Sequence, residues 1–163
     1  MTLKIVIGLI SVVPLFIIWA SIHEFSHLLA VKKFVEVVWW KMKLYPHMSE
    51  YGFRWASVEY KHTDPLTTGQ QIMVSLAPRL PDTIAAILFP ICAVLPEWWA
   101  WIWLLLWGAG IVDLFVGSVG YSENSDLRKA AKNLDVSPWL LRLYGFGLIL
   151  VSMGCAILLY IWR

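Results

Sequence analysis

Long apolar stretches separated by short polar segments set the organisation of this chain. Four stretches, at about residues 4–31, 68–95, 98–121 and 138–162, are apolar enough to cross a membrane as helices. At 1.5 Å per residue, about 27 helical residues reach roughly 40 Å, which is more than the hydrocarbon core of a bilayer requires. The pattern therefore predicts an all-α membrane protein with about four transmembrane helices.

The segment between the first two spans, residues 35–62, follows a different pattern. Apolar and polar residues alternate from Trp40 to Tyr45 and again from Tyr51 to Tyr60. Alternation of this kind, with aromatic and β-branched residues, is typical of β-strands. We expect a small β-hairpin at the membrane surface here, and an amphipathic linker is the alternative.

The composition predicts one integral membrane domain that covers residues 1–163. Hydrophobic residues make up 60% of the chain and charged residues 15%, whereas soluble domains are nearer half apolar and a quarter charged. The net charge of +2 is small and no basic stripe is present. We therefore expect the lipid bilayer, and no nucleic acid, as a partner.

Lysine and arginine residues are distributed unequally between the two ends of the spans. Nine lie in the loops after the first and third spans, and two, Lys4 and Arg163, lie on the opposite side. Because cytoplasmic loops carry an excess of these residues, we expect both basic loops in the cytoplasm and both termini outside. The chain is then a multi-pass protein, expected in the cell (plasma) membrane.

The first span ends in the motif HEFSH, from His23 to His27. Helical spacing puts both imidazoles on one face, where they can bind one Zn²⁺, and Glu24 can act on a water molecule as general base. No charged residue occurs between Ile5 and Ile22, so the motif lies inside the membrane, where ionisable residues mark functional sites. The alternative is a pair of histidines near a helix end that hydrogen-bond to neighbouring groups.

A catalytic zinc site usually has three protein ligands, so one more is needed. His47 and His62 lie in the predicted hairpin, which leaves the carboxylates. Asp126 is preferred, because it follows the third span in a polar turn that can fold back toward the metal. Asp113 is the alternative, since it lies roughly 12 Å deep in the third span, at a depth similar to that of His23. Whichever aspartate does not bind the metal can hydrogen-bond to a ligand imidazole.

Two further features concern the packing of the spans. Residues 77–82 interrupt the second span with two prolines, and Arg79 and Asp82 are spaced to pair across one helical turn. This break either kinks a helix whose charges neutralise each other or lines the site. In the fourth span, Gly147 and Gly154 predict a close helix contact.

Three motifs together resemble the site-2 protease family of intramembrane zinc metalloproteases. The first is HEFSH in a membrane span. The second, LAPRLPD (Leu76–Asp82), is similar to the family's Gly-Pro-x-x-Asn element, and the third, ENSDL (Glu123–Leu127), is similar to its Asn-Pro-x-Asp-Gly box without the proline and glycine. The resemblance covers about residues 15–130.

Carried over residue by residue, the resemblance implies a set of roles. His23, His27 and Asp126 correspond to zinc ligands and Glu24 to the catalytic base. Asn124 corresponds to a catalytic helper near the tetrahedral intermediate. One Zn²⁺ per chain is the cofactor that this set implies.

The motifs and their membrane setting predict an intramembrane zinc metalloprotease. It would hydrolyse peptide bonds in transmembrane or membrane-proximal segments of a membrane protein substrate, and the oligomeric state is left open. The alternative is a non-proteolytic metal-binding membrane protein, or a pseudo-protease that binds membrane helices. A metal transporter is disfavoured, because it would need histidine and acidic residues along several spans, whereas here they cluster at one depth.

Overall fold

The computed structural model of the protein describes residues 2–49, 52–54, 56–119 and 125–163. Helices dominate these residues, and short strands follow the first helix. The helices are α1 (Thr2–Phe34), α2 (Thr68–Leu76), α3 (Arg79–Leu88), α4 (Glu97–Val119), α5 (Asp126–Leu134) and α6 (Pro138–Trp162), with a 3₁₀ helix at Phe89–Ala93. The strands are β1 (Val37–Lys43), β2 (His47–Ser49), β3 (Gly52–Arg54) and β4 (Ser57–His62).

Within the described residues, four helical segments are long and apolar enough to cross a membrane. They are Ile10–Phe34, Thr68–Ala93, Glu97–Val119 and Pro138–Trp162. The second of them comprises α2, α3 and the 3₁₀ helix in succession. The predicted fold class, an all-α membrane protein with four spans and a small hairpin, is confirmed, and the chain is a multi-pass membrane protein.

The strands form two antiparallel pairs, β1 with β4 and β2 with β3. In the longer pair, Trp40 lies opposite Tyr60 and Met42 lies opposite Val58. The alternation in the sequence therefore corresponds to paired strands and not to an amphipathic linker. Strand β4 also contacts α1, which brings the hairpin next to the HEFSH motif.

The second span breaks at the position that the sequence predicts. Helix α2 ends at Leu76, and Pro78 precedes the first residue of α3. Nη1 of Arg79 donates a hydrogen bond to Oδ2 of Asp82 at 2.8 Å, and both side chains are buried. The predicted pairing of these two residues is therefore confirmed, and it lies in the protein interior.

A glycine allows α6 to pack closely against α4, but it is not one of those expected from the sequence. A Cβ at Gly145 would meet the hydroxyl oxygen of Ser118 on α4. The expectation for Gly147 and Gly154 is wrong, because no described atom lies within 4 Å of a Cβ built at either position. Two helical residues turn the chain by about 200°, so Gly147 faces away from the contact that Gly145 makes.

Candidate metal centre

Helix α1 carries His23 and His27 one turn apart, and their ring centroids are 5.3 Å apart. Asp126 begins α5 and reaches the same point from a distant part of the chain. Its Oδ2 lies 3.2 Å from Nε2 of His23 and 3.2 Å from Nε2 of His27. The structure thus brings together the three residues for which the sequence predicts zinc binding, and we call them the metal triad.

The outer nitrogens of both imidazoles are held by acceptor groups. Nδ1 of His27 lies 2.8 Å from the carbonyl oxygen of Val74, and because a carbonyl only accepts, Nδ1 carries the hydrogen. Nδ1 of His23 lies 2.8 Å from Oδ2 of Asp113, which an N–H group likewise satisfies. In neutral imidazoles both Nε2 atoms then present lone pairs toward Asp126. Three acceptor atoms that face one another favour a cation between them.

The metal triad fits Zn²⁺ in donor type and in spacing. Tetrahedral zinc with bonds of about 2.0–2.2 Å separates neighbouring ligand atoms by roughly 3.3–3.6 Å, and the nitrogen–oxygen distances of 3.2 Å are close to this range. Two imidazoles and one carboxylate form a donor set of catalytic zinc sites and leave a fourth position open. The triad can therefore hold one zinc ion.

Asp113 and Asp126 contact opposite nitrogens of the His23 ring. Asp126 lies at Nε2 and also reaches His27, whereas Asp113 lies at Nδ1 of His23. This geometry favours Asp126 as the third ligand. It gives Asp113 the other role foreseen from the sequence, that of an acceptor that fixes the tautomer and the orientation of a ligand ring.

A buried ionic cluster lies behind Asp113. Arg79 is 7% exposed and Asp82 is 1% exposed, and carboxylate oxygens of Asp82 and Asp113 lie within 4.8 Å of each other and of a His23 ring nitrogen. A Cβ at Gly117 of α4 would meet the Arg79 guanidinium, so this glycine makes room for the charge. Arg79 offsets the repulsion between two buried carboxylates, and the break in the second span thereby supports the site.

Asp126 lies outside the membrane-spanning segments, and its ionisation depends on the two histidines. Burial alone would raise the pKa of the Asp126 carboxyl. When no cation lies between these groups, hydrogen bonds and charges from the rings of His23 and His27 outweigh burial and hold this pKa well below its usual range. The carboxylate is therefore ionised at neutral pH, which is the form that binds a metal.

Glu24 lies beside the metal triad and is held by strand β4. Its Oε2 accepts a hydrogen bond from the backbone N–H of Val58 at 2.9 Å. Both residues border an open cavity of about 360 Å³, which we call the cleft. The cleft is lined by Glu24, His27, Val58, Tyr60, Leu66, Gln71, Val74, Ser75, Asp126, Lys129, Lys132 and Asn133. A carboxylate that borders such an opening can exchange protons with water or with a bound peptide.

Tyr60, Lys129 and Lys132 are among the cleft residues that were not identified from the sequence. Burial and, after it, the nearby carboxylates of Asp126 and Glu24 raise the pKa of the Tyr60 phenol. Tyr60 therefore keeps its hydrogen and can donate it in a hydrogen bond. The strand pattern identified the element that carries Tyr60, but no local signal indicated that this element meets Glu24. Asn124, the predicted helper, lies outside the described residues.

The two remaining histidines lie in the hairpin region, as expected, and make local contacts. Nε2 of His47 lies 2.9 Å from the hydroxyl of Ser57. Nδ1 of His62 donates to the carbonyl oxygen of Asp64 at 2.6 Å. Neither histidine belongs to a potential metal-binding group among the described residues.

A known protein family matches most of this chain. The family described as "Putative zincin peptidase" matches residues 8–126, a range that contains the HEFSH motif and ends at Asp126. Zincins bind their zinc through an HExxH motif, so this match indicates a zinc metallopeptidase. Comparisons with curated proteins and with solved structures found no match.

Proposed function

The chain belongs to the putative zincin peptidase family, and from this premise we propose that it is an intramembrane protease similar to site-2 proteases. It would hydrolyse peptide bonds in transmembrane or membrane-proximal segments of other membrane proteins. The observation that carries the proposal is the metal triad with Glu24 beside it, because both histidines and Glu24 lie on a helix long and apolar enough to span a bilayer. A hydrolytic site at this position meets substrates that are themselves in the membrane.

The residues of the site divide the chemistry between them. His23, His27 and Asp126 would hold the zinc ion, which when bound supplies a Lewis acid for the peptide carbonyl and lowers the pKa of water. Glu24 would accept a proton from the attacking water and pass it to the leaving amine. Asp113 would keep His23 in the tautomer that presents Nε2.

Strand β4 provides an edge that an extended substrate could join. The N–H of Val58 turns away from β1 toward Glu24, and because pairing alternates along an antiparallel strand, the backbone groups of Tyr60 turn the same way. A locally unwound substrate segment can add to this edge through main-chain hydrogen bonds. Such an addition would bring a peptide bond into the cleft beside the metal triad.

The site is proposed to face the cytoplasm. The loops next to it contain nine of the lysine and arginine residues, against two on the opposite side. This bias is typical of cytoplasmic loops. Water and the cytoplasmic part of a substrate would then reach the cleft directly, and the plasma membrane is the compartment we propose.

The proposal is tested with purified protein in proteoliposomes. The substrates are a panel of single-span membrane proteins, each with a fluorescent tag on its cytoplasmic side. Wild-type protein loaded with zinc is expected to release tagged fragments. Glu24→Gln should retain zinc but lose cleavage by about 10²–10⁴-fold, because it lacks the base, and His23→Ala should lose the metal.

Two results would contradict the proposal in different ways. Cleavage by Glu24→Gln at the wild-type rate would remove the general-base assignment. A zinc-loaded wild-type protein that cleaves no member of the panel, yet captures single-span helices, would favour the non-proteolytic alternative.

A further inference from the structure

The cleft extends from the metal triad along one face of α5. Asp126 begins this helix, and Lys129 and Lys132 follow at intervals of three residues on the side that lines the cleft. The opposite side is buried against the protein through Leu127 and Ala130. The fold of α5 therefore points two ammonium groups and one metal ligand into the same opening.

The spacing of these lysines matches a short stretch of bound peptide. At 1.5 Å per residue, Lys129 lies about 4.5 Å and Lys132 about 9 Å along the helix from Asp126. An extended peptide advances about 3.3 Å per residue. A chain that is bound across the metal triad and runs along α5 would thus pass both lysines within about three residues of its reacting bond.

The charge of the cleft also favours an anionic ligand. Neither Lys129 nor Lys132 forms an ion pair with a residue that the structure describes, and both are exposed. The two carboxylates that line the cleft among the described residues are already engaged, Glu24 by the Val58 N–H and Asp126 by the two imidazoles. A divalent ion in the metal triad would offset these two carboxylates, which leaves the ammonium charges in excess.

We propose that Lys129 and Lys132 form an anion-binding subsite of the cleft. This subsite selects substrates with acidic side chains within about three residues of the scissile bond. The inference rests on the proposed function, because it treats the cleft as the place where the substrate lies. Electrostatic complementarity of this kind contributes to specificity, because it raises the affinity for ligands of opposite charge and lowers the affinity for ligands of like charge.

Acidic lipid headgroups are the other anions that a cytoplasmic membrane surface presents. The position of the lysines favours the peptide, because both line the cavity that contains Glu24 and His27. Arg128, on the same helix, does not line this cavity. It carries the same charge, one residue before Lys129, and therefore serves as a matched control.

The test measures binding with catalysis switched off. Zinc-loaded Glu24→Gln protein in nanodiscs of neutral lipid is titrated with fluorescent decapeptides that carry either two aspartates or two asparagines. The aspartate pair is placed on the amino-terminal side of the central bond in one peptide and on the carboxyl-terminal side in another. We expect at least one aspartate peptide to bind about tenfold tighter than its asparagine partner, with a difference that shrinks at high salt.

Variants identify the residues responsible. Lys129→Gln with Lys132→Gln should abolish the preference, and Lys129→Glu with Lys132→Glu should reverse it in favour of a lysine-containing peptide. Arg128→Gln should leave the preference unchanged. Equal binding of aspartate and asparagine peptides would overturn the proposal. An equal loss in Arg128→Gln would do the same. A parallel titration with anionic-lipid vesicles covers the lipid alternative, and binding to these vesicles without any preference among the peptides would also overturn the proposal.

Cleavage measured separately distinguishes this inference from the proposed function. If wild-type protein cleaves acidic and neutral reporters equally, the protease assignment stands and the proposal of an anion-binding subsite fails. If the Glu24→Gln protein prefers the acidic peptide while the wild type cleaves neither reporter, the subsite stands and the protease assignment fails.

Discussion

At the scale of single residues, the site depends on which nitrogen each acceptor contacts. His23 is held between two aspartates, with Asp113 at Nδ1 at 2.8 Å and Asp126 at Nε2 at 3.2 Å. Of the two aspartates, only Asp126 also contacts His27. The nitrogen of the His23 ring that each aspartate contacts therefore decides whether that aspartate can bind the metal or only orients the ring.

The two aspartates should differ in their effect on metal affinity. Asp126→Ala removes a ligand and should abolish stoichiometric zinc binding, whereas Asp113→Asn should weaken zinc affinity by about 10–100-fold, as loss of an orienting partner does. Metal content after dialysis, followed by chelator competition, measures both effects. The assignment is reversed if Asp126→Ala keeps its zinc and Asp113→Asn does not.

The Tyr60 phenol is expected to stabilise negative charge on the substrate. Its raised pKa keeps the hydroxyl protonated, and a donor aimed at a developing oxyanion is worth about 10²–10³-fold in kcat. We expect Tyr60→Phe to lower kcat by that order, with zinc content and KM little changed. A change in KM alone would mean that Tyr60 only contacts the bound substrate.

At the scale of elements, strand β4 and helix α5 complete a site that α1 begins. Strand β4 holds Glu24 through the Val58 N–H, and α5 brings Asp126 to the histidines. The positions of these elements depend on how closely the long helices pack. One contact of this kind is that of Gly145 on α6 with Ser118 on α4.

Gly145→Ala should destabilise the helix packing. The new Cβ would meet Ser118 Oγ, which donates to the carbonyl oxygen of Leu114 at 2.7 Å, so relief of the clash disturbs a buried hydrogen bond. We expect a loss of about 1–3 kcal/mol in the free energy of unfolding, measured by SDS titration of protein in mixed micelles. Gly147→Ala is the control, since its Cβ would meet no described atom within 4 Å.

Comparison with the Gly147→Ala control shows which result would contradict the close packing of α6 against Ser118. Alanine favours a helix over glycine by up to about 1 kcal/mol, so Gly147→Ala should be neutral or slightly stabilising. If Gly145→Ala stabilises the protein by the same amount as Gly147→Ala, then α6 does not pack closely against Ser118.

At the scale of the whole molecule, the bilayer and the charge distribution decide which compartment the cleft faces. The metal triad draws on α1 and α5, and the basic loops adjoin the same ends of the spans. The expected topology therefore has the cleft in the cytoplasm and both termini outside.

Cysteine labelling in intact cells tests this topology. In a background with Cys92 and Cys155 replaced by alanine, a cysteine at Lys61 or Arg128 should resist a membrane-impermeant maleimide. A cysteine at Leu95, between the second and third spans, should react. The opposite pattern would place the cleft outside the cell and would refute the cytoplasmic orientation.

The sequence by itself determined the elements and the first half of the site. Apolar stretches of sufficient length require helices in a bilayer, and the HEFSH spacing places His23, Glu24 and His27 on neighbouring positions of one helix whatever the rest of the fold does. Period-two alternation likewise predicted the hairpin. These properties are local, so a single sequence contains them. The extent of one domain over residues 1–163 stays a prediction, as do the zinc-ligand and base roles.

Only the tertiary structure decided what surrounds that motif. Asp126 lies 99 residues beyond His27 along the chain. Its local context favoured it over Asp113, but only the fold shows that it reaches both imidazoles. The face of α6 that meets α4 was misjudged for the same reason, since helix rotation depends on a partner that the periodicity of one helix does not specify. The cleft, Tyr60 and the two lysines likewise exist as a group only because separate elements converge. Long-range packing, which no segment encodes alone, thus determined the second half of the site.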